Sequence, residues 1–222
     1  TLVLINPVGT RRTGFSQDAV SKFPPLALGM VAAITPSDQW KIYIIDENWK
    51  HAWVRHADLV GITAYTENAD RAYEVAAIYR EAGIPVVMGG IHASMCTDEA
   101  LNHVDSVVVG EAELTWPQLL NDFIAGRMQR VYRANGYADL ATIPQARHDL
   151  FHPSYWFRII QTSRGCPYDC DFCTVTAFNG KKFRMRPVED VLDEIEQNQG
   201  KFKSYIFADD NLIGNTPSQR ER

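Results

Sequence analysis

Residues 59–90 read LVGITAYTENADRAYEVAAIYREAGIPVVMGG and contain a complete strand–helix–strand unit. The apolar run from Leu59 to Thr63 predicts one strand, and Val86 to Gly89 predicts the next. Residues 68–83 predict a helix that ends at Gly83, because glycine is preferred just past a helix C-terminus. The apolar residues of this helix recur at helical spacing: Ala72, Val75, Ala76, Tyr79 and Ala82. Such a unit places its two strands parallel in one sheet.

The same alternation extends in both directions from this unit. Three further apolar runs predict strands at Leu2 to Asn6, Ile42 to Asp46 and Ser106 to Val109. Helical segments are predicted at residues 25–34, from Thr97, and from Thr115 to Ile124. Alternating helices and nearly all-apolar strands are typical of an α/β fold whose parallel sheet is covered on both faces. We therefore expect a domain with a five-stranded parallel sheet over residues 1–126.

Polar and small residues follow the predicted strands, where sheets of this type bind ligands. Thr63 and Thr66 come after the third strand, and their hydroxyls can bond the polar edge of a ligand. Gly89 and Gly90 come after the fourth, where bare backbone allows a flat or phosphate-bearing ligand to approach. A glycine pair can also be an ordinary turn, and His92 can be an ordinary loop residue.

Composition and charge exclude several classes of protein. The 222 residues carry a formal net charge of -5, which argues against a general nucleic-acid binder. No apolar run is long enough to predict a membrane span, and no signal peptide is visible. Three of the four cysteines, Cys166, Cys170 and Cys173, crowd into one short segment. Clustered thiols without a secretion signal favour metal binding in a reducing compartment, so we expect a cytoplasmic protein.

Four motifs in the first part of the chain occur in the order of a known domain. They are residues 23–29 (FPPLALG), 44–46 (IID), 87–93 (VMGGIHA) and 110–113 (GEAE). They resemble the cobalamin-binding domain that precedes the radical domain in B12-dependent radical S-adenosylmethionine (SAM) enzymes. The resemblance implies a Rossmann-like, flavodoxin-like domain that binds cobalamin. It implies as cobalamin-binding candidates Thr63, Thr66, Gly89, Gly90, Ile91, His92 and Glu111.

One departure from that pattern concerns the loop after the first strand. Many cobalamin domains carry Asp-x-His-x-x-Gly there, and the His ligates cobalt from below. Here the loop reads Asn6-Pro7-Val8-Gly9-Thr10 and has no His. Radical SAM members commonly lack the motif too, so cobalamin remains the expectation. The alternative is a domain of the same shape without the cofactor.

Residues 159–173 read IIQTSRGCPYDCDFC and present Cys-x3-Cys-x2-Cys after a short strand. Thiolates are soft ligands that suit iron–sulfur clusters and zinc. Three thiolates can hold three corners of a [4Fe–4S] cubane and leave the fourth iron open to a small molecule. A structural zinc site needs four protein ligands, and the remaining Cys96 lies in the first domain. A zinc-binding or disulfide-prone loop is the alternative.

This cysteine segment resembles the radical SAM signature, including Arg-Gly before the first Cys and Phe172 before the third. The resemblance implies that SAM chelates the open iron and is split reductively to a 5′-deoxyadenosyl radical, with Phe172 near the adenine. The other SAM-binding candidates are Arg184, Asp209, Asp210 and Asn211, the last three in place of the family's Gly-Gly-Glu. An acidic turn at 209–211 and a salt bridge at Arg184 are the alternatives.

The remaining segments complete the predicted organisation. Residues 127–157 change to polar, Pro-containing sequence and predict a linker that lies against both domains. In residues 158–222, Val188, Val191, Leu192 and Ile195 predict a helix between the cysteine loop and a strand at 204–208. This unit resembles the first βα units of a radical SAM partial TIM barrel. Such a core needs more strands, so we expect it to be truncated here.

The resemblance implies an enzyme that uses a [4Fe–4S] cluster, SAM and cobalamin, of the hopanoid methylase-like or anaerobic Mg-protoporphyrin cyclase-like branch. Methylation of an unactivated carbon is the expected reaction. Oxidative cyclisation or another rearrangement is the alternative with the same cofactors, and a non-catalytic cobalamin- or metal-binding module is the alternative of another class. The expected partners are a small-molecule substrate, such as a lipid or tetrapyrrole, and an electron donor such as flavodoxin or ferredoxin. The sequence nominates no general acid or base.

Overall fold

The computed structural model describes residues 1–9, 22–49, 56–198 and 204–217. Within these residues the strands form a six-stranded sheet and two two-stranded pairs. The six-stranded sheet belongs to the first part of the chain, and the two pairs belong to the part that carries the cysteine segment. The predicted α/β class, with a Rossmann-like first domain, is confirmed.

The large sheet is parallel throughout and has the order β2-β1-β3-β4-β5-β6. Its strands are β1 Leu2–Asn6, β2 Ile42–Asp46, β3 Leu59–Thr63, β4 Val86–Gly89, β5 Ser106–Val109 and β6 Val131–Arg133. The direction in which strands are added reverses between β1 and β3. The helices that follow these two strands in the chain, residues 26–33 and 69–81, pack on opposite faces of the sheet, which leaves a crevice at the strand ends between them.

The strand count corrects the sequence prediction of five strands. The sixth strand, β6, lies in the segment that was predicted to be a linker, and it pairs Val107 with Val131 and Val109 with Arg133. It is only three residues long, and only its central Tyr132 is buried. A strand this short at a sheet edge carries no periodic apolar signal, because a single side chain faces the core.

Helices cover both faces of the sheet, as the apolar strands predict. They are α1 Leu26–Ala33, α2 Ala69–Glu81, α3 Ile91–Met95, α4 Thr97–Ala100 and α5 Trp116–Ile124. Successive side chains of β1 alternate between two cores, since side chains on a strand point to opposite faces. Val3 and Ile5 pack in the core that contains α2, while Leu2 and Leu4 pack in the core that contains α1 and α5.

The second part of the chain forms one parallel and one antiparallel strand pair around the cysteine loop. Its elements are β7 Phe157–Ile160, β8 Ser163–Arg164, α6 Val175–Phe178, β9 Arg184–Met185, α7 Val188–Gln197 and β10 Ser204–Phe207. β7 pairs with β10, and β8 pairs antiparallel with β9. The predicted order of strand, cysteine loop, helix and strand is therefore present.

Helix α7 buries a face that differs from the predicted one. Val191 and Glu194 are buried, whereas Val188 and Leu192 are about half exposed. Glu194 is 1% exposed because it lies between His148, 2.6 Å from its Oε1, and Arg186, 2.6 Å from its Oε2. A buried carboxylate that is paired on both oxygens replaces part of the apolar contact that the helical spacing predicts.

The segment between the two parts packs closely against the first sheet. Tyr155 and Phe151 are buried, and the Tyr155 hydroxyl donates a hydrogen bond to Asp46 at the end of β2. His148 of this segment bonds Glu194 of α7, so the segment contacts both parts of the chain. Among the described helices, none combines the length and the apolar character that crossing a membrane requires.

Candidate functional site

A cavity of about 620 Å³ lies at the carboxyl ends of the large sheet. Residues of the first part that were predicted to bind a ligand line it: Thr63, Gly89, Gly90, Ile91 and Glu111. The opposite wall comes from the second part of the chain, with Gln161, Arg164, Phe178, Asn179 and Asp210 among its residues. The cavity therefore lies between the parallel sheet and the cysteine-bearing segment, and both contribute to one site.

Gly90 allows two loops of the sheet to approach each other at the cavity wall. Its φ is +91°, and a Cβ there would lie 2.9 Å from both the Ala64 carbonyl oxygen and the Thr63 hydroxyl oxygen. The His92 N–H donates to the same Ala64 carbonyl at 3.1 Å. The glycine predicted for close approach of a ligand is thus required by the close approach of the β3 and β4 loops themselves.

Thr66 and His92 lie behind the cavity wall and do not line it. His92 is buried, with Nε2 2.8 Å from the Tyr73 hydroxyl and Nδ1 3.3 Å from the Thr66 hydroxyl. The structure brings these two predicted residues to each other. Their contact with cobalamin remains a prediction.

The cysteine loop begins at a glycine that no other residue can replace without strain. Gly165 has a φ of +84°, and a Cβ there would meet the carbonyl oxygens of Lys182, Asn179 and Gly180. The next residue, Cys166, donates its N–H to the Gly180 carbonyl at 3.2 Å. The first thiol is therefore held by backbone packing between the start and the end of the loop.

All three motif cysteines are free thiols, and Cys170 is exposed. A single metal ion would suit a group of at least three His, Cys, Asp or Glu side chains whose donor atoms all lie within 4.8 Å of one another. Within the described ranges, the three motif cysteines do not form such a group. At least one pair of the three sulfurs is therefore more than 4.8 Å apart. Wider spacing suits a cubane, because each thiolate binds a different iron.

The acidic segment after β10 is bonded to the cysteine loop. Asp209 accepts hydrogen bonds from the backbone N–H groups of Thr162 and Ser163, and Asp210 accepts from the Gly165 N–H at 2.8 Å. The Asn211 amide lies 3.7 Å from the Cys166 sulfur. Three of the five predicted SAM-binding residues are thus at the base of the loop, and Asp210 also lines the cavity.

Phe172 and Arg184, the two remaining SAM candidates, have different surroundings. Phe172 is 90% exposed, so its ring is free for a planar ligand. The Arg184 guanidinium binds Glu111 through two hydrogen bonds, at 2.6 and 3.1 Å. Arg184 and Glu111, predicted for different cofactors, are therefore partners of each other, which agrees with the salt-bridge alternative for Arg184.

A second ion pair completes this buried network. Arg164, directly opposite Arg184 in the β8–β9 ladder, binds Glu113 at 2.6 Å and lies 3.6 Å from Glu111. Burial alone lowers the pKa of Arg164, but the carboxylates of Glu113 and Glu111 more than offset it, so this pKa lies above its ordinary value. Arg164 is thus charged, and Glu113 and Glu111 neutralise it, while Glu111 also pairs with Arg184.

Sequence reasoning did not assign Arg164, Glu113 or Tyr65 to the site. Arg164 belongs to the Arg-Gly motif before Cys166, and Glu113 belongs to the Gly-Glu-Ala-Glu motif after β5. Both residues could therefore have been predicted from these motifs. Tyr65 lines the cavity and is 60% exposed. It lies in the loop after β3 that was predicted to face the ligand, and only its side-chain direction distinguishes it from its neighbours.

The fold and the site define a protein in which a Rossmann-like sheet and a three-cysteine loop share one cavity. Residues 15–120 match the family described as the B12 binding domain. The chain is 35% identical to bacteriochlorophyllide d C-12(1)-methyltransferase of Chlorobaculum tepidum, over 95% of this chain and 48% of the relative. It is 29% identical to hopanoid C-2 methylase of Rhodopseudomonas palustris, over 89% of this chain and 39% of the relative.

Among solved structures, the radical SAM methyltransferase TsrM of Kitasatospora setae superposes with a TM-score of 0.76. The sequences are 17% identical, and the match covers 99% of this chain and 49% of that one. The chain contains a match to the B12 binding domain and is similar to B12-binding-domain-containing radical SAM enzymes, which confirms the resemblance seen in its motifs. It spans about half the length of the curated relatives that it matches. The family supports the three predicted cofactors, cobalamin, SAM and a [4Fe–4S] cluster.

Proposed function

We propose that this chain forms the cofactor-binding part of a cobalamin-dependent radical SAM methyltransferase that methylates an unactivated carbon. The observation that carries the proposal is the shared cavity. Its walls are the strand ends of a B12-type domain on one side and the base of the Cys-x3-Cys-x2-Cys loop on the other. A methyl donor on the sheet and a radical source at the loop would therefore face the same space.

The residues of the sheet side fit a cobalamin. The cavity volume of about 620 Å³ lies in the range of cofactor sites, which are roughly 300–1,000 Å³. Apolar side chains such as Leu28, Val108 and Trp116 line it together with the backbone of Gly89 and Gly90. An apolar wall with a few polar groups suits a broad, flat macrocycle. We propose that Thr63, Thr66, Gly89, Gly90, Ile91, His92 and Glu111 position it, Thr66 and His92 from behind the wall.

The residues of the loop fit a [4Fe–4S] cluster better than a single zinc ion. Cys166, Cys170 and Cys173 are free thiols, and at least one pair of their sulfurs is more than 4.8 Å apart. A fourth protein thiol is also remote, because Cys96 lies beside His92 in the first domain. Three ligands leave one iron for SAM, which we propose contacts Phe172, Asp209, Asp210, Asn211 and Arg184.

When bound, the cluster and SAM supply a 5′-deoxyadenosyl radical, and cobalamin supplies a transferable methyl group. The residues of this chain hold the loop that carries the cluster. Asp210 bonds Gly165, and Arg164 and Arg184 anchor the loop to Glu113 and Glu111 on the sheet. Apolar side chains line part of the cavity wall and disfavour water there. We infer that these contacts keep the two cofactor sites at a constant separation.

The substrate that we propose is a small apolar ring system, a tetrapyrrole or a hopanoid-type lipid, and the electron donor is a flavodoxin or ferredoxin. The names of the two curated relatives support this class, since one is a bacteriochlorophyllide methyltransferase and the other a hopanoid methylase. Both names also describe methyl addition, which favours methylation over cyclisation for this chain.

Anaerobic reconstitution with iron and sulfide tests the loop. We expect a brown protein whose EPR spectrum shifts when SAM is added. Cys166→Ser should abolish both properties, while Cys96→Ser, a cysteine outside the motif, should keep them. Stoichiometric zinc uptake with exclusion of iron would overturn the cluster assignment.

Incubation with hydroxocobalamin followed by desalting tests the sheet. A red protein is expected from both the wild type and the Cys166→Ser variant, because the two sites belong to different parts of the chain. Transfer of a labelled methyl group from SAM to a tetrapyrrole or hopanoid acceptor then tests the reaction. Both cofactors bound without SAM cleavage, in the presence of a reductant, would instead indicate a non-catalytic binding module.

A further inference from the structure

His92, Cys96 and Glu99 form a group of metal-type ligands outside the cavity. One donor atom from each side chain, an imidazole nitrogen, a sulfur and a carboxylate oxygen, lies within 4.8 Å of the other two. None of the three lines the cavity. The family resemblance assigns no metal here, and the proposed cluster uses the other three cysteines.

Local structure explains why the three side chains share one face. The segment has α3 and α4 joined at Cys96, and the backbone bonds continue through the junction. The Cys96 N–H donates to the His92 carbonyl at 2.8 Å, and the Ala100 N–H donates to the Cys96 carbonyl at 3.0 Å. Spacings of four and then three residues therefore place the side chains on the same side of the segment.

The surroundings of His92 orient its ring toward the group. Its Nδ1 lies 3.3 Å from the Thr66 hydroxyl, and its Nε2 is directed at the Tyr73 hydroxyl and lies 3.5 Å from a Glu99 oxygen. A second partner on the far nitrogen is the usual arrangement for a metal-binding histidine, because it sets the tautomer and the ring angle. The group also has an access path, since the Glu99 side chain is 55% exposed while His92 is buried.

We propose that His92, Cys96 and Glu99 bind a divalent transition metal ion of the Zn²⁺ class. Zinc accepts nitrogen, sulfur and oxygen ligands together, whereas Mg²⁺ and Ca²⁺ take oxygen ligands and would leave the sulfur and nitrogen unused. The ion takes the place of the Tyr73 hydroxyl at Nε2, the single imidazole proton then lies on Nδ1, and the thiol proton leaves to solvent. Nδ1 then donates to Thr66. Three protein ligands leave the fourth position to water.

The Tyr73 hydroxyl donates to Glu99 at 3.1 Å, and it can keep that bond when the metal is present. A metal ion bound there would hold the start of α3 in place next to Gly90 and Ile91, two of the residues that line the cavity.

Cobalt(II) titration of the full chain with Cys166, Cys170 and Cys173 all changed to Ser tests the site, because Cys96 is then the only thiol. We expect one equivalent of Co²⁺ to bind with a thiolate-to-cobalt charge-transfer band, and Zn²⁺ to displace it. On the same background, Cys96→Ser should abolish the band. Glu99→Gln should weaken Zn²⁺ binding at least about tenfold, since it removes a ligand. Its control, Asp98→Asn, changes an exposed neighbour and should keep the parent affinity.

Absence of the band, its survival in Cys96→Ser, or equal effects of Glu99→Gln and Asp98→Asn would overturn the proposal. If the triple-Ser background does not fold, zinc per chain is counted on the iron-reconstituted wild type and on its Cys96→Ser variant. One zinc lost with Cys96 supports the site, and equal zinc contents refute it. The result does not depend on the proposed function, because the triple-Ser background lacks the cluster ligands altogether.

Discussion

Glu111 and Arg184 lie 73 positions apart in the chain and form a bidentate ion pair, with guanidinium nitrogen to carboxylate oxygen distances of 2.6 and 3.1 Å. Glu111 follows β5 of the large sheet, and Arg184 begins β9 at the end of the cysteine loop. The Glu111 carboxylate also accepts the Ala138 N–H at 2.6 Å, so both of its oxygens are bonded. This pair and the neighbouring Arg164–Glu113 pair attach the loop to the sheet.

Glu111→Gln should destabilise the protein by about 3–5 kcal/mol. The substitution keeps the side-chain shape and removes the ion-pair partner of Arg184, while Arg164 keeps Glu113. Urea unfolding, followed by circular dichroism, measures the loss. The control is Asp149→Asn, which breaks an exposed ion pair with Arg147 and should cost less than about 1 kcal/mol. Equal losses in the two variants would show that the buried ion pairs stabilise the protein no more than an exposed ion pair does.

Gly165→Ala should lower the amount of cluster that the protein incorporates. The methyl group would press against backbone oxygens at a φ of +84°, at a cost of about 1–3 kcal/mol at the residue before Cys166. Gly126→Ala is the matched control, because Gly126 also has a positive φ, +67°, but no atom lies within 4 Å of its Cβ position. Iron and sulfide per chain after reconstitution are the measurement. Normal loading of Gly165→Ala would contradict the prediction.

Tyr155→Phe should destabilise the protein by about 1–3 kcal/mol, because it removes a buried donor from the Asp46 carboxylate. The hydroxyl lies 2.5 Å from Asp46, and burial, with Asp46 adding to it, raises the pKa of Tyr155, so the proton stays available for donation. Tyr168→Phe serves as the comparison, since Tyr168 is 48% exposed. Denaturation midpoints measure both changes. Equal shifts of the denaturation midpoint in Tyr155→Phe and Tyr168→Phe would show that the Tyr155–Asp46 hydrogen bond does not stabilise the protein.

Glu194 should make stability depend on pH in the acid range. Burial alone raises the pKa of Glu194, but the hydrogen bond with His148 and the charge of Arg186 outweigh burial, so the net pKa is below its ordinary value of 4.5. A depressed folded pKa stabilises the native state above the unfolded value and loses that effect as pH falls through the folded value. Wild type should therefore exceed Glu194→Gln in stability most clearly near neutral pH.

The measurement for Glu194 is the difference between the two urea midpoints at about pH 7 and at about pH 4. The difference should narrow in acid, where the wild-type carboxyl begins to take up a proton. A difference that stays constant or widens would mean that this carboxyl is not held in its charged form by His148 and Arg186.

The amino-acid pattern was sufficient for the fold class and the family. Helical spacing from Ala72 to Ala82 and the short apolar strands determine an α/β unit, because periodicity reports which side of each element faces a core. The cysteine spacing and the motifs around Gly89 and Glu111 are local as well, so they were visible without coordinates. The cavity at the strand ends followed from the general behaviour of parallel sheets.

Tertiary structure alone decided the partners of the charged residues and the sixth strand. The sequence did not show that Glu111 pairs with Arg184, or that Glu194 pairs with His148 and Arg186. These partners are distant in sequence or were assigned to different roles. Charged side chains also ordinarily indicate exposed positions. The edge strand β6 has one buried side chain, too few to produce a period. Local patterns encode which face is apolar, whereas the choice of a charge partner depends on which loops meet after folding.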